Sequence, residues 1–523
     1  MDSLVFMISN LSSLTWQEMA CGFLILLILY YICCVIYTLY FHPLSRFPGP
    51  KLAAISPLTH IIWDIKGAQH STIKKLHDQY GDVIRISPNA LAYRAAPAWR
   101  DIYGHRKKGQ KIFYKDPALY TPLPNGMNSL LTANEADHAR MRRLLTHAFS
   151  NKALKEQEPI LHVYADLLIQ RLDEQIAPSS QATAFIDICR WFNFTTFDII
   201  GDLSFGEPFG CLQDSQYHWW VSTITDAVKA SCYLKILWFY PLMSVLARFL
   251  VPKHLMEKRA DTFNLSVEKV DRRLKRDTAR PDFTSYIMKH DRDGKCMSRG
   301  EIDANAASFV VAGSETTAAL LSGCIFYITQ HPDKYNRLIS EIRGAFKSEA
   351  DIQLSALSTL PYLNAVLEET LRIYPPIPAM LPRLVPEGGA IINGQFVNKG
   401  VSVSISLWSV LHCESNFVDA KSFIPERWLK DEVTGAPLDD RYAADRKEAF
   451  QPFSYGPRNC LGQHLANAEM RLILAKLLWH FELELSTECM NWNDQQSFSL
   501  WRRPELKVRL LRAGRGPGLL NCI

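Results

Sequence analysis

The 523-residue chain lacks the cysteine patterns of a protein held together by disulfides or by zinc. Its 12 cysteines have neither the regular spacing of a disulfide framework nor paired C-x-x-C units, so a reducing compartment is expected. Internal repeats and low-complexity tracts are also absent. The net charge is small, because 58 Lys and Arg residues nearly balance 53 Asp and Glu residues, and this balance gives no support to nucleic-acid binding.

One long uncharged run does occur, from Ala20 to Phe41. A helix of this length, at ~1.5 Å per residue, covers ~33 Å and can cross a hydrocarbon core of ~30 Å. A cleaved signal peptide fits poorly, because the run is long, no basic segment precedes it and no small-x-small cleavage site follows it. We therefore predict a short lumenal tail at residues 1–19 and a transmembrane anchor at residues 20–41.

Residues 42–50 are rich in proline and predict a stiff connector after the anchor. Basic Arg46 and Lys51 follow the anchor whereas acidic residues precede it, which favours a cytosolic position for residues 51–523. Asn10 begins an Asn-Leu-Ser glycosylation sequon on the opposite, lumenal side. Residues 51–523 are expected to form one large domain, because motifs with distinctive chemistry are spread over most of this length and must converge on one site.

One cysteine lies in a loop with the residue types that a thiolate ligand to haem iron requires. The loop reads Phe453-Ser-Tyr-Gly456-Pro-Arg458-Asn-Cys460-Leu-Gly462. The two glycines allow positive φ angles and a close backbone approach, so that N–H groups can be aimed at the sulfur. Phe453 can shield the sulfur from water, and Arg458 can bind a carboxylate such as a haem propionate. We predict Cys460 as the axial iron ligand; the competing interpretation is a free cysteine in a turn.

This loop resembles the haem-binding signature F-x-x-G-x-R-x-C-x-G of the cytochrome P-450 family of haem-thiolate monooxygenases, and every specified position matches. Together with the N-terminal Phe-His-Pro-Leu and Phe-Pro-Gly-Pro pattern, it is similar to filamentous-fungal members, particularly the group resembling isotrichodermin C-15 hydroxylase. The resemblance implies a mainly α fold with a minor β-sheet behind a single transmembrane helix. Alternation around a Ser-Pro-Asn turn independently predicts a hairpin over residues 82–93.

A second motif of the family, E-x-x-R, is present as Glu369 and Arg372. The flanking Pro361 and Pro375 predict a helix of about three turns, on which the two charges share one face. A surface ion pair, worth only ~0.2–0.5 kcal/mol, would explain them equally well. The resemblance adds Arg427 and implies a structural cluster of all three charges that locks this helix to the segment before the cysteine loop.

A long apolar segment from about Ile302 to Ile328 predicts a buried central helix. Its middle carries a carboxylate and two hydroxyls, at Glu315, Thr316 and Thr317. A buried threonine can satisfy its hydroxyl by bonding the carbonyl four residues earlier. The resemblance implies instead a local bulge where oxygen binds, with Glu315 and Thr316 as catalytic residues that relay protons to the distal oxygen.

The resemblance also implies further partners for the haem propionates. His138 and Arg142 lie four residues apart in a basic helical segment, as do the propionate-facing residues of the family, although a solvated face is the usual reason for such charge. Arg383 matches another propionate arginine. Arg140 and Arg143, offset from this pair, are expected to face solvent and an acidic surface of the electron donor.

The substrate-facing segments of the family correspond to residues 117–131, 219–249, 377–381 and 498–501. Pocket residues implied by the resemblance are Phe309, Ala312, Ile377 and Met380. Aromatic and aliphatic residues at such places can equally belong to the core. Their apolar character indicates a lipophilic substrate.

The leading function is therefore an oxygen-activating monooxygenase with haem (heme b) as its cofactor. By resemblance it receives electrons from NADPH through cytochrome P-450 reductase at the endoplasmic reticulum membrane, with its catalytic domain in the cytosol. Its substrate would be an intermediate of fungal secondary metabolism such as a polyketide, terpenoid or alkaloid. Two alternatives stay open: a reductase-independent rearrangement or dehydration enzyme, which would not need a proton relay, and a non-enzymatic haem-binding protein.

Overall fold

The computed structural model describes most of the chain. The residues described are 15–107, 109–118, 120, 123–176, 185–216, 239, 253–276, 280–290, 297–431 and 433–514. Asn10, and the predicted substrate-facing stretch 219–249 apart from Phe239, lie outside these ranges.

Helices make up most of the described chain, as expected. Their bounds are α1 Trp16–Ile36, α2 Lys51–Ile55, α3 Leu58–Ile65, α4 Gln69–Tyr80, α5 Ala98–Tyr103, α6 Glu135–Leu145, α7 Asn151–Glu174, α8 Ile188–Phe205, α9 Cys211–Asp214, α10 Lys253–Leu274, α11 Phe283–His290, α12 Arg299–Thr329, α13 Pro332–Ala345, α14 Leu354–Leu357, α15 Pro361–Ile373, α16 Leu407–Leu411 and α17 Gln463–His480.

The strands form three small sheets. Their bounds are β1 Val83–Ser87, β2 Ala90–Tyr93, β3 Tyr114–Lys115, β4 Ile186–Asp187, β5 Arg383–Leu384, β6 Ala390–Ile392, β7 Gln395–Val397, β8 Ser402–Ile405, β9 Phe481–Leu485 and β10 Lys507–Arg512. The largest sheet has the order β1-β2-β8-β5-β3, a second has β4-β10-β9, and β6 pairs with β7. The β1–β2 pair is antiparallel, which confirms the predicted hairpin.

The N-terminal apolar helix starts earlier than the sequence predicted. Thr15 and Glu18 form a capping box, so α1 begins at Trp16 rather than at Ala20, and a π-helical turn continues it to Phe41. The most apolar 18-residue window within residues 16–41 has a mean hydropathy of 2.7. None of this window is buried against the rest of the protein. These properties fit a membrane anchor.

The segment predicted to be a stiff connector packs against the domain. Leu44 and Phe47 are buried in a hydrophobic cluster that also contains Tyr93. The buried Arg85 donates from Nη1 to the Thr38 carbonyl at 2.8 Å, which ties the end of the anchor to the first sheet. The proline-rich stretch therefore packs against the domain, because the apolar side chains between its prolines are buried.

The central helix α12 is buried along most of its length. A capping box of Ser298 and Glu301 sets its start. It lies close to α8, where a β-carbon at Gly313 would come within 2.7 Å of the Ile200 side chain. Close packing at this glycine explains why a small residue stands in the middle of the helix.

The charge cluster predicted from E-x-x-R is fully buried. Glu369, Arg372 and Arg427 each have a side chain that is 0% exposed. Arg372 donates to both oxygens of Glu369, at 2.9 and 2.7 Å, and Arg427 lies 3.2 Å from the same carboxylate. Arg427 also pairs with the buried Asp445 at 2.8 Å, a fourth member that the motif did not reveal.

The cluster connects α15 to the loop that leads to Cys460. Arg372 donates from Nη1 to the carbonyls of Leu411 and Ala420, at 2.9 and 2.6 Å. Trp428 donates from Nε1 to Glu369 at 2.8 Å and packs against Phe450, three residues before Phe453. The Glu369 carboxylate thus positions both the irregular segment that leads to Cys460 and the start of the cysteine loop.

We predict that Arg372→Ala prevents stable folding. The change leaves the Glu369 carboxylate buried beside an incomplete set of partners, at a cost of ~3–5 kcal/mol against a total stability of ~5–15 kcal/mol. The yield of soluble haem-loaded protein and the urea midpoint measure the effect. Arg441→Ala is the matched control, because the Arg441–Asp439 pair lies at the surface, where solvent screens it, and should contribute little to stability. Soluble Arg372→Ala protein with full haem content and a wild-type midpoint would contradict this account.

Candidate functional site

The cysteine loop is closed by its own backbone. Gly456 has φ 77°, and a β-carbon there would collide with the Tyr103 carbonyl, so only glycine fits. The Cys460 N–H donates to the Phe453 carbonyl at 2.8 Å. Gly462 differs from expectation, because its φ is −84° and it caps α17 instead of making a left-handed turn. Its N–H lowers the pKa of the Cys460 thiol, which is the effect expected of a backbone donor aimed at the sulfur.

Cys460 lies in a mixed electrostatic environment. Protein atoms surround most of the residue while one side remains accessible to solvent, so the thiol is both desolvated and reachable. Burial raises the pKa of the thiol, whereas the Gly462 N–H and the positive charge of Arg142 lower it. The latter two influences favour the thiolate form that binds iron.

Arg142 contacts the cysteine loop directly. Its guanidinium donates to the Asn459 carbonyl at 2.5 Å and to the Asn459 side-chain oxygen at 2.7 Å. The sequence predicted a propionate partner at this position. The observed bidentate contact instead holds the residue that precedes Cys460 and brings positive charge near the sulfur.

Several cations converge on one side of the loop. Lys115 and Arg383 lie directly opposite each other on β3 and β5, although like charges at such positions repel. Burial, then Arg458 and Arg383, lower the pKa of Lys115 to about 6. Burial and the same cations, together with Lys115 and Arg142, lower the pKa of His138 to about 3.

This cation cluster fits the two carboxylates of haem. Glu135 is the one carboxylate among the described neighbours that raises the pKa of Lys115. Arg458 donates to Glu135 at 2.9 Å and to the Ala133 carbonyl at 3.0 Å, while its Nη1 is buried with no partner among the described residues. An excess of buried positive charge is stable only with an anionic partner. The site therefore suits a dianionic group.

Sequence reasoning did not identify Lys115. No motif surrounds it, and its position beside Arg383 follows from the register of two short strands that are far apart in the chain. Arg383 is held by Tyr120, whose hydroxyl accepts a hydrogen bond from Nη1 at 3.0 Å. Only its position before α6 could have drawn attention to Lys115.

One stripe of α12 is accessible although the helix is otherwise buried. Ser308, Ala312 and Thr316 recur every four residues and share this face. The Thr316 hydroxyl donates to the Ala312 carbonyl at 2.6 Å. The predicted bulge is not observed, because α12 is α-helical through this segment. The accessible face of Ala312 agrees with a position beside a ligand.

Glu315 is held on a different face of α12. Its carboxylate pairs with Arg503 Nη2 at 2.5 Å, and Arg503 also donates to Asn193 at 2.9 Å. Both partners of the ion pair are buried, and they are separated by 188 residues in the chain. The charge of Glu315 is offset by Arg503 in this arrangement, and the expected proton relay through Glu315 and Thr316 stays a prediction.

A cavity of about 460 Å³ lies between α3, the large sheet and the segment after α15. Its apolar wall includes Ile86, Met380 and Phe498, and its polar wall includes Asp64 and Gln69. Met380 lines this cavity whereas Ala312 and Thr316 do not, so the role of Met380 in substrate binding stays a prediction. Ile377 is not among the residues that line this cavity, and its side chain is 38% exposed.

Phe309 is partly buried and packs against two aromatic side chains. Its ring lies 5.7 Å from the ring of Phe149 and 5.5 Å from that of Phe283, in edge-to-face geometry. The three rings pack α12 against neighbouring helices. The substrate-facing role of Phe309 stays a prediction.

Comparison with known proteins agrees with this site. The cytochrome P-450 family model matches residues 48–510. The cytochrome P-450 monooxygenase astJ of Aspergillus oryzae is 46% identical over 91% of this chain and 93% of its own length. The monooxygenase efuB of Hormonema carpetanum is 43% identical over 98% of this chain and 100% of its own, and averantin hydroxylase of Dothistroma septosporum is 40% identical over 93% and 90%.

The chain belongs to the cytochrome P-450 family. It is a haem-thiolate monooxygenase, an enzyme class that uses molecular oxygen and a bound substrate. Supply of electrons from NADPH through a reductase is standard for this family, and the N-terminal apolar helix fits membrane anchoring.

We predict that Arg503→Gln destabilises the fold. The change leaves Glu315 buried without a cationic partner, which costs ~3–5 kcal/mol for a pair of this kind. Arg502→Gln is the matched control, since Arg502 is the exposed neighbour. Denaturant midpoints of both haem-loaded variants measure the difference. Equal midpoints would mean that Glu315 does not depend on Arg503.

Proposed function

We propose that this chain is a membrane-anchored monooxygenase that oxidises a lipophilic small molecule of fungal secondary metabolism. The observation that carries the proposal is the accessible Cys460 thiol, beside which Arg142 contributes positive charge, while Arg383 and Arg458 lie among the basic groups around His138. Relatives of the chain include averantin hydroxylase, and substrates of the polyketide, terpenoid or alkaloid classes are consistent with such relatives.

Haem would be held by Cys460 as the axial thiolate and by the buried cations at its carboxylates. Lys115, His138, Arg383 and Arg458 form the carboxylate-binding side. Phe453 packs on the main hydrophobic core beside the loop and would limit water at the sulfur. When bound, haem supplies the iron centre at which oxygen is activated.

Thr316 is the proposed proton-handling residue. Its hydroxyl is accessible and, among the described residues, donates to the Ala312 carbonyl within the same helix turn. Rotation about χ1 would release this donor toward the accessible face of α12 without breaking a contact to another element. Glu315 is proposed to support this turn through Arg503, because a carboxylate in a buried ion pair is a poor proton donor.

The cavity beside Met380 suits an amphipathic substrate. One wall offers Met380 and Phe498, and the other offers hydrogen-bonding groups at Asp64, Gln69 and Ser402. Ligand sites of this kind bind an apolar body and orient it with a few polar groups. A lipophilic molecule that bears oxygen functions fits both walls.

Cytochrome P-450 reductase is the proposed electron donor, and the endoplasmic reticulum membrane is the proposed location. Arg140 is less suitable for docking than expected, because it donates to Glu301 at 2.6 and 3.1 Å and to Asp137 at 2.9 Å. Arg143 is exposed, so it keeps the expected position on the same helix. A cytosolic catalytic domain agrees with Arg46 and Lys51 after the anchor.

Cys460→Ser should abolish the thiolate signature and the activity together, because serine is not ionised near neutral pH and cannot provide the thiolate. The reduced, CO-bound difference spectrum is the measurement. Cys489→Ser serves as the control, since Cys489 is a buried cysteine outside the loop. Persistence of the thiolate spectrum in Cys460→Ser would overturn the assignment.

Thr316→Ala should uncouple electron flow from product formation, because oxygen can still be reduced while proton delivery is misdirected. NADPH consumption should persist while peroxide per NADPH rises. Thr329→Ala is the control: Thr329 bonds the Ile325 carbonyl at 2.7 Å in the same way, at the end of the same helix. If the product-to-NADPH ratio of Thr316→Ala stays at the wild-type value, the hydroxyl only satisfies the helix backbone.

A further inference from the structure

The corner between α3 and α4 supplies polar side chains to the cavity beside Met380. His60 and Asp64 lie one turn apart on α3, and Gln69 and His70 begin α4. These four residues lie outside the segments that the family resemblance assigned to the substrate. The corner therefore adds hydrogen-bonding groups that the sequence did not connect with substrate binding.

The corner is fixed to the loop that carries Phe498. The Ser497 N–H donates to the Gly67 carbonyl at 2.8 Å, and Gln496 donates from Nε2 to the Lys66 carbonyl at 3.2 Å. Gly67 has φ 65°, and a β-carbon there would come within 2.8 Å of the Gln496 side chain. The fold therefore sets the position of the polar corner beside the apolar wall.

His70 is a buried polar side chain of this corner without a hydrogen bond. It is 9% exposed, and the described residues offer no hydrogen-bond partner to either ring nitrogen. Its ring packs edge-to-face on Trp408 and Trp501, with ring centroids 5.3 and 4.9 Å away. The two indoles therefore hold the imidazole in place.

The imidazole of His70 can bind one hydroxyl group of a ligand. Burial lowers its pKa to about 4, so the ring is neutral near pH 7 and has one donor and one acceptor nitrogen. Protein encloses Nδ1, which leaves Nε2 for a molecule in the cavity. A hydroxyl group both donates and accepts, so it satisfies Nε2 in either tautomer.

The charges around the cavity favour one class of ligand. Asp64 and Asp116 line the cavity, whereas none of the described residues that line it is Lys or Arg. Gln69 donates from Nε2 to Asp64, and the Ser402 hydroxyl donates to Asp116 at 2.7 Å. A ligand carboxylate would lose its hydration here and meet like charge, whereas a ligand hydroxyl can donate to either acid.

We propose that this cavity binds a neutral, lipophilic compound with free hydroxyl groups, which His70 selects, while Asp64 and Asp116 reject carboxylic acids. The inference rests on the proposed function, because it names the substrate class of the same enzyme. Ala312 and Thr316 do not line the cavity, so these hydroxyl groups are recognised away from the accessible stripe of α12.

Three related probes separate the two interactions. Olivetol, a resorcinol with a pentyl chain, has two free hydroxyl groups; its dimethyl ether has no donor, and olivetolate adds a carboxylate. Isothermal titration of the oxidised, haem-loaded enzyme measures the Kd of each probe. We expect olivetol to bind roughly tenfold more tightly than the other two, because they lose hydrogen bonds or meet like charge.

His70→Phe tests the histidine, because it keeps a ring between Trp408 and Trp501 and removes both nitrogens. It should weaken the binding of olivetol roughly five- to tenfold, and His70→Gln, which restores an amide that donates and accepts, should recover most of the loss. His77→Phe is the matched control: His77 is buried on the same helix, bonds the Gly81 carbonyl at 2.8 Å and does not line the cavity. A normal CO-bound thiolate spectrum selects the variants that fold and bind haem.

Asp64→Asn and Asp116→Asn test the rejection of acids. Each should improve the affinity for olivetolate several-fold and change the affinity for olivetol less, because the amide removes the charge and keeps an acceptor. Amide exchange locates the bound probe: olivetol should slow exchange over residues 58–70 and leave residues 308–316 unchanged.

The outcomes separate the inference from the proposed function. Absent binding of olivetol, equal affinity of His70→Phe and wild type, equal affinity of the wild type for olivetol and olivetolate, or protection of residues 308–316 alone would each overturn the inference. The proposed monooxygenase would then still stand, since the thiolate spectrum and NADPH consumption test it. A wild-type enzyme without the thiolate spectrum would refute the proposed function first, and the inference would fall with it.

Discussion

The carboxylate of Glu369 is the constraint on which the catalytic domain depends most. A buried charge is tolerable only when hydrogen bonds and opposite charges surround it, and here Arg372, Arg427, Trp428 and the Ile424 N–H all bind the same two oxygens. These partners come from α15 and from the irregular segment after it. The segment has little regular structure of its own, so the need to satisfy this carboxylate gives it a defined path toward Cys460.

A second electrostatic imbalance defines where the cofactor binds. Arg383 and Arg458 lower the pKa values of Lys115 and His138, and the carboxylate that raises the pKa of Lys115 is Glu135. The lowered pKa values show that additional positive charge is unfavourable at this place, and a dianionic cofactor would supply the negative charge that offsets it. Binding of haem and stability of this side of the domain are therefore coupled, because the cofactor supplies the missing negative charge.

The helix α12 shows how a catalytic hydroxyl can be positioned without being immobilised. Among the described residues Thr316 bonds within its own turn, while Glu315 before it pairs with Arg503 and Thr317 after it is buried. The turn is fixed by contacts on buried faces, and the accessible face keeps a hydroxyl that can change its partner. The Thr316 side chain can therefore change its rotamer while its neighbours on α12 stay fixed, since successive side chains of a helix point in different directions.

The sequence by itself determined the family, the cysteine loop, the charge motif and the main helices, because each of these is encoded by residues a few positions apart. Gly456 illustrates this: a glycine at that place in the loop predicts a left-handed turn, which its φ of 77° confirms. Contacts between distant elements were decided only by the tertiary structure. Four arrangements depend on which faces of separate elements meet: Lys115 opposite Arg383, Glu315 paired with Arg503, Phe309 against Phe149, and residues 42–50 packed on the domain. Local spacing predicts which residues share a helix face, but packing over the whole domain decides what lies opposite that face.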